Sequence, residues 1–574
     1  MPLPGLLADR TIGFGYLPRI FGSHAVLRVI RAGGSGCMAG WGGRWVVGVR
    51  KVSSVGLGLG RSGLRRLRVV ACMVVFAGLV GVPAAEGADP YEDSLAEAAV
   101  APVLQWVDCA EGFECSTAAV PLDYRRPQED RIELAVIKLP ATDPGSRIGT
   151  LFVNFGGPGP SGVDRLRERA RWPWLFSAEL RERFDIVSWD PRGVARSAAA
   201  RCFPNTTEQL AFLGSFPDMP GDQAGEADFY GRNRELADRC RALAGPVLDH
   251  ASTANTARDL ELLRRAVGDA QLTYHGISYG TLVGATYANM FPGRVRAMVF
   301  DGSMDFDGSV NGHGGQGNTV PVDTRQNVAA GIAATFDAFL RDCAAAGPKC
   351  AFSAGDPALK WPVLAERARL APIRMAGEIF TYSSIVNAAA NLSRPDTYPQ
   401  LATLLQTLFD AGTSWPGVVP IADRESYTGN RTEAFYTTQC VDSAVPTDLG
   451  IYSRTAITED VRVPYFGRIG VFDMMACAFW QARDADRYTG PWNRRTAAPI
   501  LVLNSRFDPA TPLQGAVTGA AQLARAQVVT IEGMGHSSMY VASTCAERVK
   551  RDYLFSTELP PTGTGCAVDA APFS

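Results

Sequence analysis

The chain has 574 residues, 56 of them basic and 58 acidic, for a formal net charge of −2. That length admits a large core, or a core domain with a substantial insertion, and a hydrophobic content of 46% is ordinary for a globular protein. No basic stripe interleaved with aromatic residues occurs, which argues against a nucleic-acid partner.

Residues 1 to 68 hold no acidic residue except Asp9, while Arg and Gly abound. Arg65, Arg66 and Arg68 precede the apolar run 69–82, and the small residues of Pro83-Ala-Ala-Glu-Gly-Ala88 follow. A basic region, a short apolar core and small residues predict a secretory signal peptide, so 1–88 reads as an N-terminal extension plus signal. The apolar run is short for a bilayer span, so no stable membrane insertion is expected after cleavage; a permanent N-terminal anchor is the alternative. Cys37 and Cys72 fall in this segment, leaving ten cysteines from Cys109 to Cys566. An even count in an exported chain reads as disulfides. Consecutive pairing would close five local loops, although connectivity does not follow from sequence. A zinc site is the competing reading, but no C-x-x-C pair or nearby histidine cluster supports a metal.

In chain order, Phe113 to Tyr124 and Arg131 to Leu139 predict paired strands joined by a polar turn. A strand over 149–155 runs into Gly156-Gly-Pro-Gly-Pro-Ser-Gly162. Another over 184–190 leads into Pro191-Arg-Gly-Val-Ala-Arg-Ser197. A helical stretch over 256–267 precedes a short buried strand, Gln271-Leu-Thr-Tyr-His-Gly, then Gly276-Ile-Ser-Tyr-Gly280 and a helix from Thr281. Strands follow at 295–301, 499–504 and 527–531. The alternation predicts an α/β fold with a mostly parallel sheet covered by helices on both faces. Between 307 and 495 the rhythm changes: 329–343, 361–370, 383–392 and 398–409 read as helices without strands. The expected organisation is therefore a core over 89–306, a mainly helical cap or lid insertion over 307–495, and a second core part over 496–574. The tail from Glu558 is expected to be an irregular surface segment tied down by Cys566.

The chemistry lies at three strand ends. Ser278 centres a G-x-S-x-G turn between a strand and a helix, which exposes its hydroxyl above the sheet. Asp508, in Asn504-Ser-Arg-Phe-Asp-Pro509, and His536, in Gly533-Met-Gly-His, follow in the order Ser, Asp, His. The chain has only five histidines, and only His536 lies after a plausible acid on a late strand. Asp484 and Asp486 also fall between Ser278 and His536, but no strand precedes them. The glycine loop at 156–162 lies where backbone N–H groups of Gly157 and Tyr279 would form an oxyanion hole.

Together these residues resemble the tripeptidyl-aminopeptidase-like branch of the α/β-hydrolases, an exported bacterial group related to proline iminopeptidases. The resemblance runs from about Trp106 to Cys566. It rests on Val120-Pro-Leu-Asp-Tyr, Asn154-Phe-Gly-Gly-Pro-Gly-Pro-Ser-Gly, Asp190-Pro-Arg-Gly-Val-Ala-Arg-Ser, the Ser278 pentapeptide, Asp301-Gly, Asp508-Pro-Ala-Thr-Pro and Gly533-Met-Gly-His. The Cys545/Cys566 pair resembles that family's C-terminal module, and Gln439-Cys-Val-Asp with Cys477-Ala-Phe-Trp resembles its cap. Phe155, and Val194-Ala195, depart from the family pattern at positions that shape the pocket. The resemblance implies a monomeric, cofactor-free serine hydrolase that releases short peptides from substrate N-termini, with Ser278 as nucleophile, His536 as base and Asp508 as its orienter. An exopeptidase needs a negative group for the substrate ammonium, and Asp442 in the cap is the candidate. An esterase acting on small esters or secondary metabolites would use the same triad. A non-enzymatic binding protein on a dead scaffold is the third reading, against which the intact Ser, Asp and His stand.

Overall fold

The computed structural model describes residues 93–375, 377–411 and 429–574. The expected extension and signal peptide, with Cys37 and Cys72, lie outside the described residues. Ten strands form one sheet: β1 (Val107–Asp108), β2 (Glu114–Pro121), β3 (Arg131–Leu139), β4 (Gly149–Asn154), β5 (Phe184–Trp189), β6 (Leu272–Ile277), β7 (Val295–Asp301), then β10 (Ile500–Phe507), β11 (Ala526–Met534) and β12 (Gly565–Ala567). Their order is β1-β2-β3-β5-β4-β6-β7-β10-β11-β12. β1, β2, β3 and β5 pair antiparallel, and every pairing from β5 through β4 to β12 is parallel.

The central strands are covered on both faces, which is why they read as continuous apolar runs. Successive residues enter opposite cores. Phe152, Tyr274, Met298, Phe300 and Val502 pack on the face that carries the helices Thr253–Ala266 and Tyr279–Met290. Leu151, Val153, Ile277, Val299, Leu501 and Leu503 pack on the other, with the helix Thr544–Ser556. A sheet buried this way brings the C-terminal ends of its parallel strands to one edge, where loops can gather reactive groups.

Between β7 and β10 the chain is mainly helical. Val328–Ala346, Pro357–Leu370, Tyr382–Ala390 and Tyr398–Asp410 take up the stretches the sequence marks as helices. In the first, Val328, Ile332, Phe336, Phe339 and Cys343 recur at helical spacing and are buried. Around them Trp361, Leu405 and Phe466 build a separate core. Two features differ from expectation. A hairpin of β8 (Ile373–Met375) and β9 (Glu378–Phe380) lies among the helices, each strand too short to show a period of two. The tail is also structured: β12 extends the sheet beside β11, and Phe573 is buried against Phe339 at 5.8 Å between ring centroids. Polar and Pro-rich composition hid an edge strand held by its backbone.

The ten cysteines in the described residues pair consecutively, Cys109–Cys115, Cys202–Cys240, Cys343–Cys350, Cys440–Cys477 and Cys545–Cys566. Among the described residues no helix is long and apolar enough to cross a membrane.

Candidate active site

Ser278 stands between β6 and the helix Tyr279–Met290 with φ 56° and ψ −125°. A non-glycine residue there carries strain of order 1–3 kcal/mol, so the surroundings must hold it. Its N–H donates to the Asp301 carbonyl (2.8 Å), and its own carbonyl accepts from Thr281 N (2.8 Å) and Thr281 Oγ1 (2.7 Å). The flanking glycines are steric necessities. A Cβ on Gly276 would run into the Gly280 carbonyl, and one on Gly280 would lie 2.5 Å from the Asn154 carbonyl oxygen. The serine itself is only partly buried.

Asp508 follows β10 and is 1% exposed. Both its oxygens lie 2.9 Å from His536 Nδ1. They also accept from the N–H groups of Ala510, Thr511 (2.9 Å each) and Ser537 (3.1 Å), and from the Thr511 hydroxyl (3.1 Å). Two carboxylate acceptors at Nδ1 place the proton there and leave Nε2 as the acceptor. Burial works to lower the His536 pKa, but the charge and hydrogen bond of Asp508, aided by the charge of Asp301, outweigh it and raise the pKa above the ordinary imidazole value. Asp484 and Asp486 are engaged elsewhere, on Asn255 (2.9 Å) and Arg125 (2.5 Å). No hydrogen bond joins Ser278 to His536 among the described residues. The two meet through one turn: Asp301 holds Ser278 N, and a Cβ on the next residue, Gly302, would lie 3.1 Å from His536 Cε1. Such bonds commonly tighten only around substrate.

The loop after β4 lies against the elbow. At Gly156, with φ +77°, a Cβ would strike the Ile277 carbonyl and sit 2.8 Å from Ser278 Cβ. The N–H groups of Gly157 and Tyr279 donate to no acceptor among the described residues, and Tyr279 opens a helix, where such N–H groups carry positive potential. Asp190 fixes the far end of the loop, accepting from Ser161 Oγ (2.5 Å) and Val163 N (3.1 Å). Phe155 is buried against Trp172 at 6.5 Å, and Ala195 N donates to Asn430 Oδ1 (2.9 Å), so both departures from the family pattern lie in packed positions around this loop. A small cleft is lined by Phe155, Gly156, Pro158, Tyr279 and, from the helix Arg431–Asp442, Thr438.

Asp442 is 3% exposed. Its oxygens accept from Thr253 N (3.0 and 3.1 Å) and Thr253 Oγ1 (2.6 Å), and that hydroxyl lies 2.5 Å from the Tyr279 hydroxyl. Burial pushes the Asp442 carboxyl up to about 7 despite the Thr253 hydrogen bonds; nearby Asp484 adds to the rise and Arg487 opposes it. Among the described residues no group of three His, Cys, Asp or Glu side chains is placed to hold a metal ion.

Residues 151–346 match the family model for the alpha/beta hydrolase fold, and 463–566 match that for TAP-like proteins. Serine protease Hip1 of Mycobacterium tuberculosis H37Rv is 30% identical over 505 residues, covering 82% of this chain and 92% of the relative. This chain belongs to the TAP-like α/β-hydrolases. Carboxylesterase B of Mycobacterium tuberculosis H37Rv is 30% identical over 499 residues, with 82% and 91% covered. Tripeptidyl aminopeptidase of Streptomyces lividans is 27% identical over 492 residues, with 82% and 87% covered. The TAP-like chain is a serine hydrolase, and its relatives' names divide between peptide and ester chemistry.

Three residues of this TAP-like hydrolase at the site escape sequence reasoning: Thr253, Thr511 and Ser538. Thr253 and Ser538 are small hydroxyl residues with no local pattern to mark them. Thr511 alone had a signal, since it stands three residues past the acid, at hydrogen-bonding reach in a turn.

Proposed function

We propose that this TAP-like hydrolase is an exported aminopeptidase that releases short peptides from substrate N-termini. Ser278 is the nucleophile, His536 the base and Asp508 its orienter. His536 Nε2 takes the Ser278 proton as Oγ attacks the scissile carbonyl, and the N–H groups of Gly157 and Tyr279 receive the oxyanion. His536 then returns the proton to the leaving amine, and water cleaves the acyl-enzyme by the same route. The observation that carries the reading is the Nδ1 of His536 set between both Asp508 oxygens at 2.9 Å, with an elbow serine whose hydroxyl has no competing partner among the described residues. The segment 307–495 is the cap that closes over the site, and 496–574 completes the core. Five disulfides support export, since such bonds persist in oxidising compartments, and residues 1–88 are the extension and signal that would direct it.

The purified enzyme is expected to cleave a free-amine tripeptidyl anilide and to leave its N-acetylated twin intact. Turnover of a short nitrophenyl ester with both anilides untouched would move the reading to a carboxylic ester hydrolase, the alternative that the Carboxylesterase B relative favours.

Asp442 is the proposed anchor for the substrate ammonium, and it must serve with oxygens already bonded to Thr253. Asp442→Asn is expected to raise KM for the free-amine anilide by roughly 10-fold or more and to spare ester turnover, as for loss of uniform binding. An equal fall in kcat on both substrates would instead make Asp442 a support for Tyr279.

A further inference from the structure

Asp301 ends β7 with no exposed surface and touches both halves of the candidate machinery. Its main-chain carbonyl accepts Ser278 N at 2.8 Å. Its side chain accepts Ser538 N at Oδ1 (2.8 Å) and Ser538 Oγ at Oδ2 (2.6 Å), two residues beyond His536. Oδ2 also lies 3.3 Å from Nε2 of His275, three residues before Ser278 on β6. A carboxylate so far from solvent is expensive to bury, and an apolar residue would fill the space at less cost. Its carboxylate oxygens go instead to the N–H and hydroxyl of Ser538, just past His536, and to the ring of His275, just before Ser278.

We infer that Asp301 is a positioning residue that locks nucleophile to base, its main chain holding Ser278 and its carboxylate holding the turn after His536. The inference rests on the reading that Ser278 and His536 act together. Asp301 and Ser538 are both fully buried, so neither meets substrate.

The groups around the clamp set its charge. Asp508 and Asp301 are the carboxylates that raise the His536 pKa. Burial, with the Lys550 charge, lowers His275 to about 4, so it is neutral where the enzyme would work. Burial pushes Glu547 up to about 7 against the pull of Lys550, whose Nζ lies 2.5 Å from Glu547 Oε2 and donates to the Leu175 carbonyl (2.9 Å). Ser538 Oγ faces Glu547 Oε1 at 3.2 Å as well as Asp301. One hydroxyl hydrogen serves one carboxylate at a time, so the donation of Ser538 Oγ is shared between Asp301, the nearer acceptor, and Glu547.

The test is steady-state hydrolysis across the acid limb of the pH profile, with circular dichroism and thermal unfolding as checks on folding. Asp301→Asn keeps the shape and removes the charge. Its kcat is expected to fall roughly 10- to 100-fold with KM little changed, the scale of a displaced reacting group. Its acid limb in kcat/KM should move to lower pH, because the lost negative charge no longer favours the imidazolium. Ser538→Ala should lower kcat while leaving the limb in place, and Glu547→Gln should leave the limb in place too. A folded Asp301→Asn with wild-type kcat and limb would overturn the inference, as would a limb that moves in Glu547→Gln and not in Asp301→Asn. Should Asp301→Asn not fold, Ser538→Ala decides: an unchanged kcat overturns the clamp. Ser278→Ala separates the two levels. Turnover in that variant would remove the triad itself, whereas a dead Ser278→Ala beside wild-type clamp variants would remove only the clamp.

Discussion

Ser278→Ala is expected to lower kcat by roughly a millionfold while leaving the fold intact. Alanine keeps the Cβ that meets Gly156 and the same backbone strain at φ 56°, so the elbow geometry has no reason to change. The lost hydroxyl makes no hydrogen bond among the described residues, so nothing buried is left unpaired, and stability should shift by no more than about 0.5 kcal/mol. What remains are the N–H groups of Gly157 and Tyr279, which can stabilise an oxyanion but supply no nucleophile; residual catalysis of roughly 10³-fold over water is the expectation for such a remnant. His536→Ala should be about as damaging, because Asp508 keeps Ala510 N, Thr511 N and Ser537 N as partners and the loop survives. The pair should also be non-additive, the double variant matching the worse single one, since a base without its nucleophile has nothing to deprotonate. Turnover measurements on the three variants check this. Losses that simply multiply would mean that Ser278 and His536 do not act as one unit.

The strand-end positions of Ser278, Asp508 and His536 were legible because the fold places each after a parallel strand, and β6, β10 and β11 announce themselves as apolar runs. Gly276 and Gly280 were legible for a steric reason that operates over five residues. Asp301 was visible as the end of a strand and, with Gly302, as part of the family resemblance, but not as a contact of the site. Its role comes from Ser538, 237 residues away, and no local pattern encodes such a meeting. Asp442 shows the same limit from the other side. A carboxylate in a cap helix suggests an ammonium anchor, but its bonds to Thr253 arise where the helix Thr253–Ala266 begins, on a distant part of the chain. The hairpin β8–β9 and the strand β12 were missed because three residues cannot display a period, and their backbone bonds leave no side-chain signature.

Asp259→Ala is expected to destabilise the protein by about 3–5 kcal/mol, the scale for a buried charge stripped of its partner. Its partner is Arg192, from Asp190-Pro-Arg-Gly, and neither side chain has exposed surface. Every guanidinium N–H is used: Nε and Nη2 reach Asp259 at 2.8 and 2.6 Å, Nη1 reaches the carbonyls of Leu122 and His250 at 3.0 Å, and Nη2 reaches that of Pro121 at 3.0 Å. Tyr124 also donates to Asp259 at 2.8 Å. Without the carboxylate, a permanent cation stays buried with only carbonyl dipoles around it, and Tyr124 loses its acceptor. Denaturant unfolding with the disulfides intact measures the loss. The double variant Arg192→Met, Asp259→Leu should recover part of it, because two apolar side chains remove the charge along with its partner. A double variant no more stable than Asp259→Ala would assign the loss to packing instead of charge. Activity should fall with stability here, for a reason of place. Arg192 is two residues from Asp190, whose carboxylate holds Ser161 at the end of the glycine loop. Slack at the arginine therefore reaches the N–H of Gly157 before it reaches the triad, and kcat should drop at temperatures where the fold is still complete.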